Sequence, residues 1–123
     1  MVGRPLADRL AERIRATGPM AFEAWVEACL YDPDGGFYAA GGAAGRRGDF
    51  ITSPEVGPLF GAVVARWLDA SWEALGGPSG FTVVEAAAGV GTLARSVRAA
   101  RPACLEAGRY VMVERCEIGR AHV

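Results

Sequence analysis

Between residues 81 and 114 two β-rich runs flank a turn built of small residues, and this arrangement leaves the chain few folds to choose from. Phe81-Thr82-Val83-Val84-Glu85 has the β-branched and aromatic content of a strand. Ala86 to Gly91 is a tight turn. Thr92 to Ala100 reads as a helix with Leu93 and Val97 turned inward, ended before Pro102. Tyr110-Val111-Met112-Val113-Glu114 is a second strand. The span matches the ~30 residues that a strand–helix–strand unit takes. Such a unit runs its strands in parallel and predicts the opening of an α/β domain.

The turn is suited to a nucleotide cofactor. A strand that ends in small residues lets a helix N-terminus approach a ligand closely, and Gly89 and Gly91 remove side chains that would block the approach. Glu114, at the end of the second strand, can accept hydrogen bonds from two ribose hydroxyls. Two cofactors compete for this arrangement. Gly89-Val90-Gly91-Thr92-Leu93-Ala94 satisfies the GxGxxG/A dinucleotide pattern, with an acid ~20 residues on, which favours NAD or FAD. Glu85 closes the first strand four residues before Gly89. A carboxylate there repels a pyrophosphate but suits a cofactor with a cationic amino-acid end. S-adenosylmethionine carries an ammonium and a sulfonium and no phosphate, so Glu85 favours it, and both cofactors stay open. Two glycines alone would describe no more than a plain tight turn.

Upstream, the chain is helical. Leu6, Leu10, Arg13 and Ile14 predict an amphipathic helix over 5–16, stopped by Thr17-Gly18-Pro19. Phe22, Trp25, Val26, Cys29 and Leu30 share one face of a second helix, which Asp32-Pro33 breaks. Residues 39–49 are rich in Gly and Ala without period and read as a mobile surface loop. Phe50-Ile51-Thr52 is a short extended piece. Ser53-Pro54-Glu55 is a helix start, with Ser53 as N-cap and Pro54 in the first helical position. One apolar period from Val56 to Leu75 then predicts a single helix up to Gly76-Gly77-Pro78. Trp25, Trp67 and Trp72 fall on apolar faces and are expected in the core.

Composition narrows function by exclusion. The 123 residues suffice for one small domain, and 51% of them are hydrophobic. A net charge of −1 gives no general pull toward nucleic acid or anionic membrane. All 13 basic residues are Arg, which fits a GC-rich coding sequence. No apolar run reaches the ~18 residues of a membrane span. Asp8 and Glu12 interrupt the N-terminal apolar stretch, so no secretory leader is read there, and a cytoplasmic location is the default expectation. Cys29, Cys104 and Cys116 are scattered, which predicts free thiols and neither disulfides nor a metal site. The lone His122 leaves no histidine general base in the body of the chain.

Three stretches together resemble one family. They are GPMAFEAWVEACLYDPDGGFY at 18–38, GRRGDFITSPEVGPLFG at 45–61, and FTVVEAAAGVGTLARSV at 81–97 followed by YVMVER at 110–115. In that order and spacing the chain is similar to the MidA-like family of class I S-adenosylmethionine-dependent methyltransferases. GDFITSPE is the most specific of these stretches. The resemblance implies N-terminal helices followed by the first β-α-β of a Rossmann-like sheet, and methyl transfer to a protein, with arginine as the acceptor in the family's mitochondrial member. It implies that Glu85, Ala87, Gly89 and Gly91 line the S-adenosylmethionine pocket and that Glu114 holds the ribose. It implies that Gly48, Asp49, Phe50, Thr52, Ser53, Pro54 and Glu55 form a motif beside the active site, with Gly48, Thr52 and Ser53 on the cofactor side. The chain departs from the family at Ala86-Ala87-Ala88, where glycine or proline-glycine is usual, and Ala87 is expected to narrow the approach and weaken binding.

Methyl transfer from a sulfonium is an in-line displacement in which the protein positions the nucleophile and removes water. A guanidinium acceptor needs an acid to orient it and help remove its proton. Asp49 and Glu55 are the candidates, since Ser53 and Pro54 are explained by helix initiation and the two acids are not. A non-catalytic assembly or binding partner using the amphipathic helices is a further possibility, as is a dinucleotide-dependent oxidoreductase. The expected layout is a helical region at 1–80 carrying GDFITSPE, the start of the cofactor domain at 81–116, and a tail at 117–123 that reads as foreign. No further strands follow Glu114, so the sheet is expected to be truncated, with open edges.

Overall fold

A computed structural model describes residues 4–42 and 49–115. Gly48, Cys116 and the suspect tail at 117–123 lie outside the described residues, as does most of the glycine-rich loop; residues 39–41 of that loop belong to a turn.

The chain divides into two compact units, Met1–Ala43 and Ala44–Val123. The helices after residue 52 group with the sheet because they supply half of its core.

In the first unit, α1 (Leu6–Thr17) ends at Gly18, whose φ of 88° lies in the left-handed region that glycine tolerates best. The second helix, α2 (Phe22–Tyr31), stops at Asp32-Pro33 as expected. Asp32 does two jobs there. Its Oδ1 accepts the Asp34 N–H at 2.9 Å, which makes the turn, and its carboxylate takes a two-pronged ion pair from Arg9 at 2.6 and 3.0 Å. The Arg9 hydrogen bonds hold the Asp32 carboxyl below the usual carboxylate range. Tyr38 stacks on Tyr31 with ring centroids 5.5 Å apart. Tyr31, Asp32 and Tyr38 are thus packing and turn residues.

The second unit opens with a short helix, α3 (Ser53–Val56), and continues with α4 (Pro58–Ala74). The single helix read from the apolar period is in fact broken at Gly57, which is fully extended at φ 169° and ψ −179°. Pro58 explains the break: its ring disfavours helical backbone in the preceding residue, and it has no N–H to continue the ladder. The strand β1 (Thr82–Ala86), the helix α5 (Thr92–Ala99) and the strand β2 (Arg109–Val113) follow, with a single 3-10 turn at Ala103–Leu105. The strands pair in parallel, with Val83 opposite Tyr110 and Glu85 opposite Met112.

One face of this two-stranded sheet is covered. Ala65 and Leu68 of α4, Val97 of α5 and Cys104 form the buried core, and Val83, Phe81, Leu93, Trp72 and Tyr110 pack against it. The two helices touch at Gly61, where an added Cβ would fall 2.3 Å from Ser96 Cβ. Asp69 of α4 accepts the Cys104 N–H at 2.8 Å and so caps the 3-10 turn from a distance. The opposite sheet face is bare, with Val84 62% and Val113 51% exposed. Parallel strands are ordinarily covered on both faces. Only Trp72 of the three tryptophans meets the expectation of core packing, and its indole N–H also donates to the Pro78 carbonyl at 3.0 Å. Trp25 is exposed, and Trp67 is 66% exposed, because it lies on the face of α4 turned away from α5.

Candidate functional site

The turn between β1 and α5 visits the left-handed region at alternate residues: Ala87 at φ 56°, Gly89 at 54° and Gly91 at 75°. Two of the three are glycine, as the conformation asks, and the third is the alanine that departs from the family pattern. An added Cβ at Gly89 would meet no protein atom within 4 Å, whereas at Gly91 it would lie 3.0 Å from the Met112 sulfur. Gly89 therefore keeps open space on its outer side, and Gly91 lets α5 start close over β2. Arg95 steadies this start by donating to the Val90 carbonyl at 2.5 Å and to the Thr92 hydroxyl at 3.3 Å.

The turn is tied to the end of β2. The Ala88 N–H donates to the Val113 carbonyl at 3.2 Å, and the Gly89 N–H donates to the Glu114 carboxylate at 2.7 Å. The structure therefore joins Gly89 to Glu114 and carries Ala87 and Gly91 in the same turn. Parallel pairing does this by setting the C-terminal ends of both strands side by side.

Glu85 sits half-buried on the helix-covered side of β1. Its Oε2 accepts a hydrogen bond from the Tyr110 hydroxyl at 2.8 Å. Burial, and after it the Glu85 carboxylate, hold the Tyr110 hydroxyl well above its ordinary pKa, so it stays a proton donor. Among the described residues no cation pairs with Glu85; the ion pairs there are Arg4–Glu12 and Arg9–Asp32. A half-buried carboxylate whose hydrogen-bond partner is a neutral hydroxyl retains an attraction for a cation. Tyr110 was legible in the sequence only as a strand residue. Its role comes from register, since it lies diagonally across the pair from Glu85.

The GDFITSPE stretch reaches the same unit through α3, which packs against both α4 and α5. Thr52, not Ser53, is the N-cap of α3. The Glu55 carboxylate reaches back to accept the Thr52 N–H at 2.8 Å, and the Thr52 hydroxyl also donates to it, forming a capping box. This corrects the expectation that helix initiation leaves Glu55 unexplained. Ser53 and Asp49 are exposed at the start of this segment. A groove of about 540 Å³ lies elsewhere, along the open edge of β2, lined by Arg95, Arg98, Arg109 and Tyr110 among others. It shares Gly91 with the turn but takes in neither Glu85, Gly89 nor Glu114.

No family model matches the chain. Relatives do. The Drosophila melanogaster protein arginine methyltransferase NDUFAF7 homolog, mitochondrial, is 44% identical over 92 residues, which is 75% of this chain and 21% of that protein. The human and rat mitochondrial protein arginine methyltransferases NDUFAF7 are 36% identical over 89 residues (72% of this chain) and 34% identical over 93 (76%), covering 20% and 21% of their own lengths. The chain thus spans about a fifth of these relatives. A crystal structure of an uncharacterised COG1565 superfamily protein from Burkholderia thailandensis matches with a TM-score of 0.71 and 32% identity, covering 95% of this chain and 29% of that one. The cytoplasmic expectation does not stand against these findings, because the named relatives are mitochondrial proteins. That expectation rested on finding no secretory leader, which is no test for mitochondria.

Proposed function

We propose that this chain, a homologue over three-quarters of its length of MidA-like proteins named as arginine methyltransferases, carries part of an S-adenosylmethionine site serving methyl transfer to a protein arginine. The observation that supports this most is Glu85, half-buried beside a neutral hydroxyl and without a protein cation among the described residues. Such a carboxylate fits an ammonium or sulfonium and opposes a pyrophosphate. Bound there, the cofactor supplies an electrophilic methyl group.

The chain's own residues divide the remaining work. Glu114 takes the ribose hydroxyls, and its bond to the Gly89 N–H presets the carboxylate at the turn. Gly89 and Gly91 admit the ligand, and Ala87 limits how closely it approaches. Thr52 and Ser53 flank the cofactor. Asp49 and Glu55 orient the acceptor guanidinium. In Glu55 the capping box engages Oε2 and fixes the direction of the carboxylate.

The dinucleotide alternative draws on the Gly89–Ala94 pattern, with Arg95 beside Gly91 to meet a pyrophosphate. That guanidinium is already engaged with Val90 and Thr92. Calorimetric titration of the protein, expressed over its whole reading frame, with S-adenosylmethionine and with NAD tests the proposal. Binding of the first and not the second is expected. Binding of NAD alone would overturn it, and binding of neither would favour a non-catalytic partner role.

A further inference from the structure

We infer that Tyr110 is a positioning residue for Glu85, holding one carboxylate oxygen so that the other faces the cationic amino-acid end of the cofactor; this rests on the S-adenosylmethionine reading above. The parallel register sets Glu85 opposite Met112, so Tyr110 lies one diagonal step away on the same sheet face. A tyrosine is long enough to span that diagonal, and its hydroxyl reaches Oε2 at 2.8 Å. Its ring packs against the core of Ala65, Leu68, Val97 and Cys104, which fixes where the hydroxyl stands. A glutamate has three side-chain torsions. Without a fixed donor its carboxylate would sample several directions, and aiming it would cost cofactor affinity. Tyr110 therefore converts rigidity of the core into direction of a charge at the end of β1.

Tyr110→Phe separates this role from simple packing, because it keeps the ring and removes the hydroxyl. S-adenosylmethionine and adenosine are titrated into the wild-type protein, over its whole reading frame, and into the variant. Adenosine shares the ribose and base but has no cationic end. S-adenosylmethionine affinity is expected to fall roughly tenfold, the scale of one hydrogen bond to a charged group. Adenosine affinity is expected to hold within about twofold. Unchanged affinity for S-adenosylmethionine in the variant would overturn the inference and leave the cofactor reading standing. An equal loss for both ligands would overturn it too, as a structural defect. A wild-type protein that binds no S-adenosylmethionine would overturn both.

Discussion

The backbone N–H of Gly89 donates to Oε2 of Glu114 across 2.7 Å, joining the turn after β1 to the residue that follows β2. The residues at either end of a strand–helix–strand unit thus close into one loop of contacts, with the carboxylate already oriented. Replacing Glu114 with Ala is expected to lower S-adenosylmethionine affinity by roughly 10- to 100-fold, the range for losing hydrogen bonds to a charged group. Calorimetry reads this directly, and the loss should be the same for adenosine, since the ribose is common to both.

Ala87 and Gly89 share a left-handed backbone but not a side chain. An L-residue with a Cβ costs about 1–2 kcal/mol in that region. Ala87→Gly is therefore expected to stabilise the fold by up to about 1 kcal/mol after the added freedom of the unfolded glycine is deducted. Gly89→Ala is expected to destabilise it by up to about 1 kcal/mol, the backbone strain less the entropy that Ala removes from the unfolded chain, since its Cβ would meet no atom within 4 Å. Urea denaturation of the two variants should move in opposite directions.

Asp49 and Glu55 are the acids proposed to face the acceptor. Changing either to Ala should abolish methyl transfer to an arginine peptide while S-adenosylmethionine binding is retained. Thr52→Ala provides a contrast for Glu55. It weakens the capping box at a cost of about 0.5–2 kcal/mol of stability, and because Thr52 flanks the cofactor it should weaken S-adenosylmethionine binding, which the acid variants retain. Unchanged turnover in both acid variants would exclude them from the reaction.

Asp69 joins α4 to the 3-10 turn, and the Cys104 N–H holds its carboxyl below the usual range. A carboxyl depressed in the folded state stabilises fully above its unfolded pKa of ~3.9, and that contribution is lost as pH falls through the lower folded value. Asp69→Ala should thus lower stability near neutral pH by about 1–3 kcal/mol and flatten the acid limb of the pH–stability curve. The neighbouring Cys104 thiol is pushed up to about 11, first by burial and then by Asp69. It should react slowly with iodoacetamide at neutral pH until the chain unfolds, by contrast with the part-exposed Cys29.

Local chemistry made most of the second unit readable. The run TVVEA, the small-residue turn and the stop before Pro102 each carry their own signal, and all three elements fall within a residue or two of where they were placed. Helix α4 carried an unbroken apolar period that masked the Gly57-Pro58 break, since the period continues across a kink. That period also could not separate the face of Ala65 and Leu68, which meets α5, from the face of Trp67, which does not. Glu85, Gly89, Gly91 and Glu114 were visible because acids and glycines are conspicuous beside strands. Tyr110 was not, because its partnership with Glu85 depends on strand register. The capping role of Glu55 was missed because Thr52, rather than Ser53, starts the helix.

The central claim is that the Glu85 carboxylate, held by the Tyr110 hydroxyl and without a protein cation among the described residues, receives a cationic ligand. Glu85→Gln tests it most directly, because Gln keeps the length and an oxygen to accept the Tyr110 hydroxyl while losing the charge. S-adenosylmethionine titrated into the wild-type and variant proteins is expected to bind the variant at least about tenfold more weakly, the scale of a lost charge-assisted contact. Equal affinity for the two would contradict the claim.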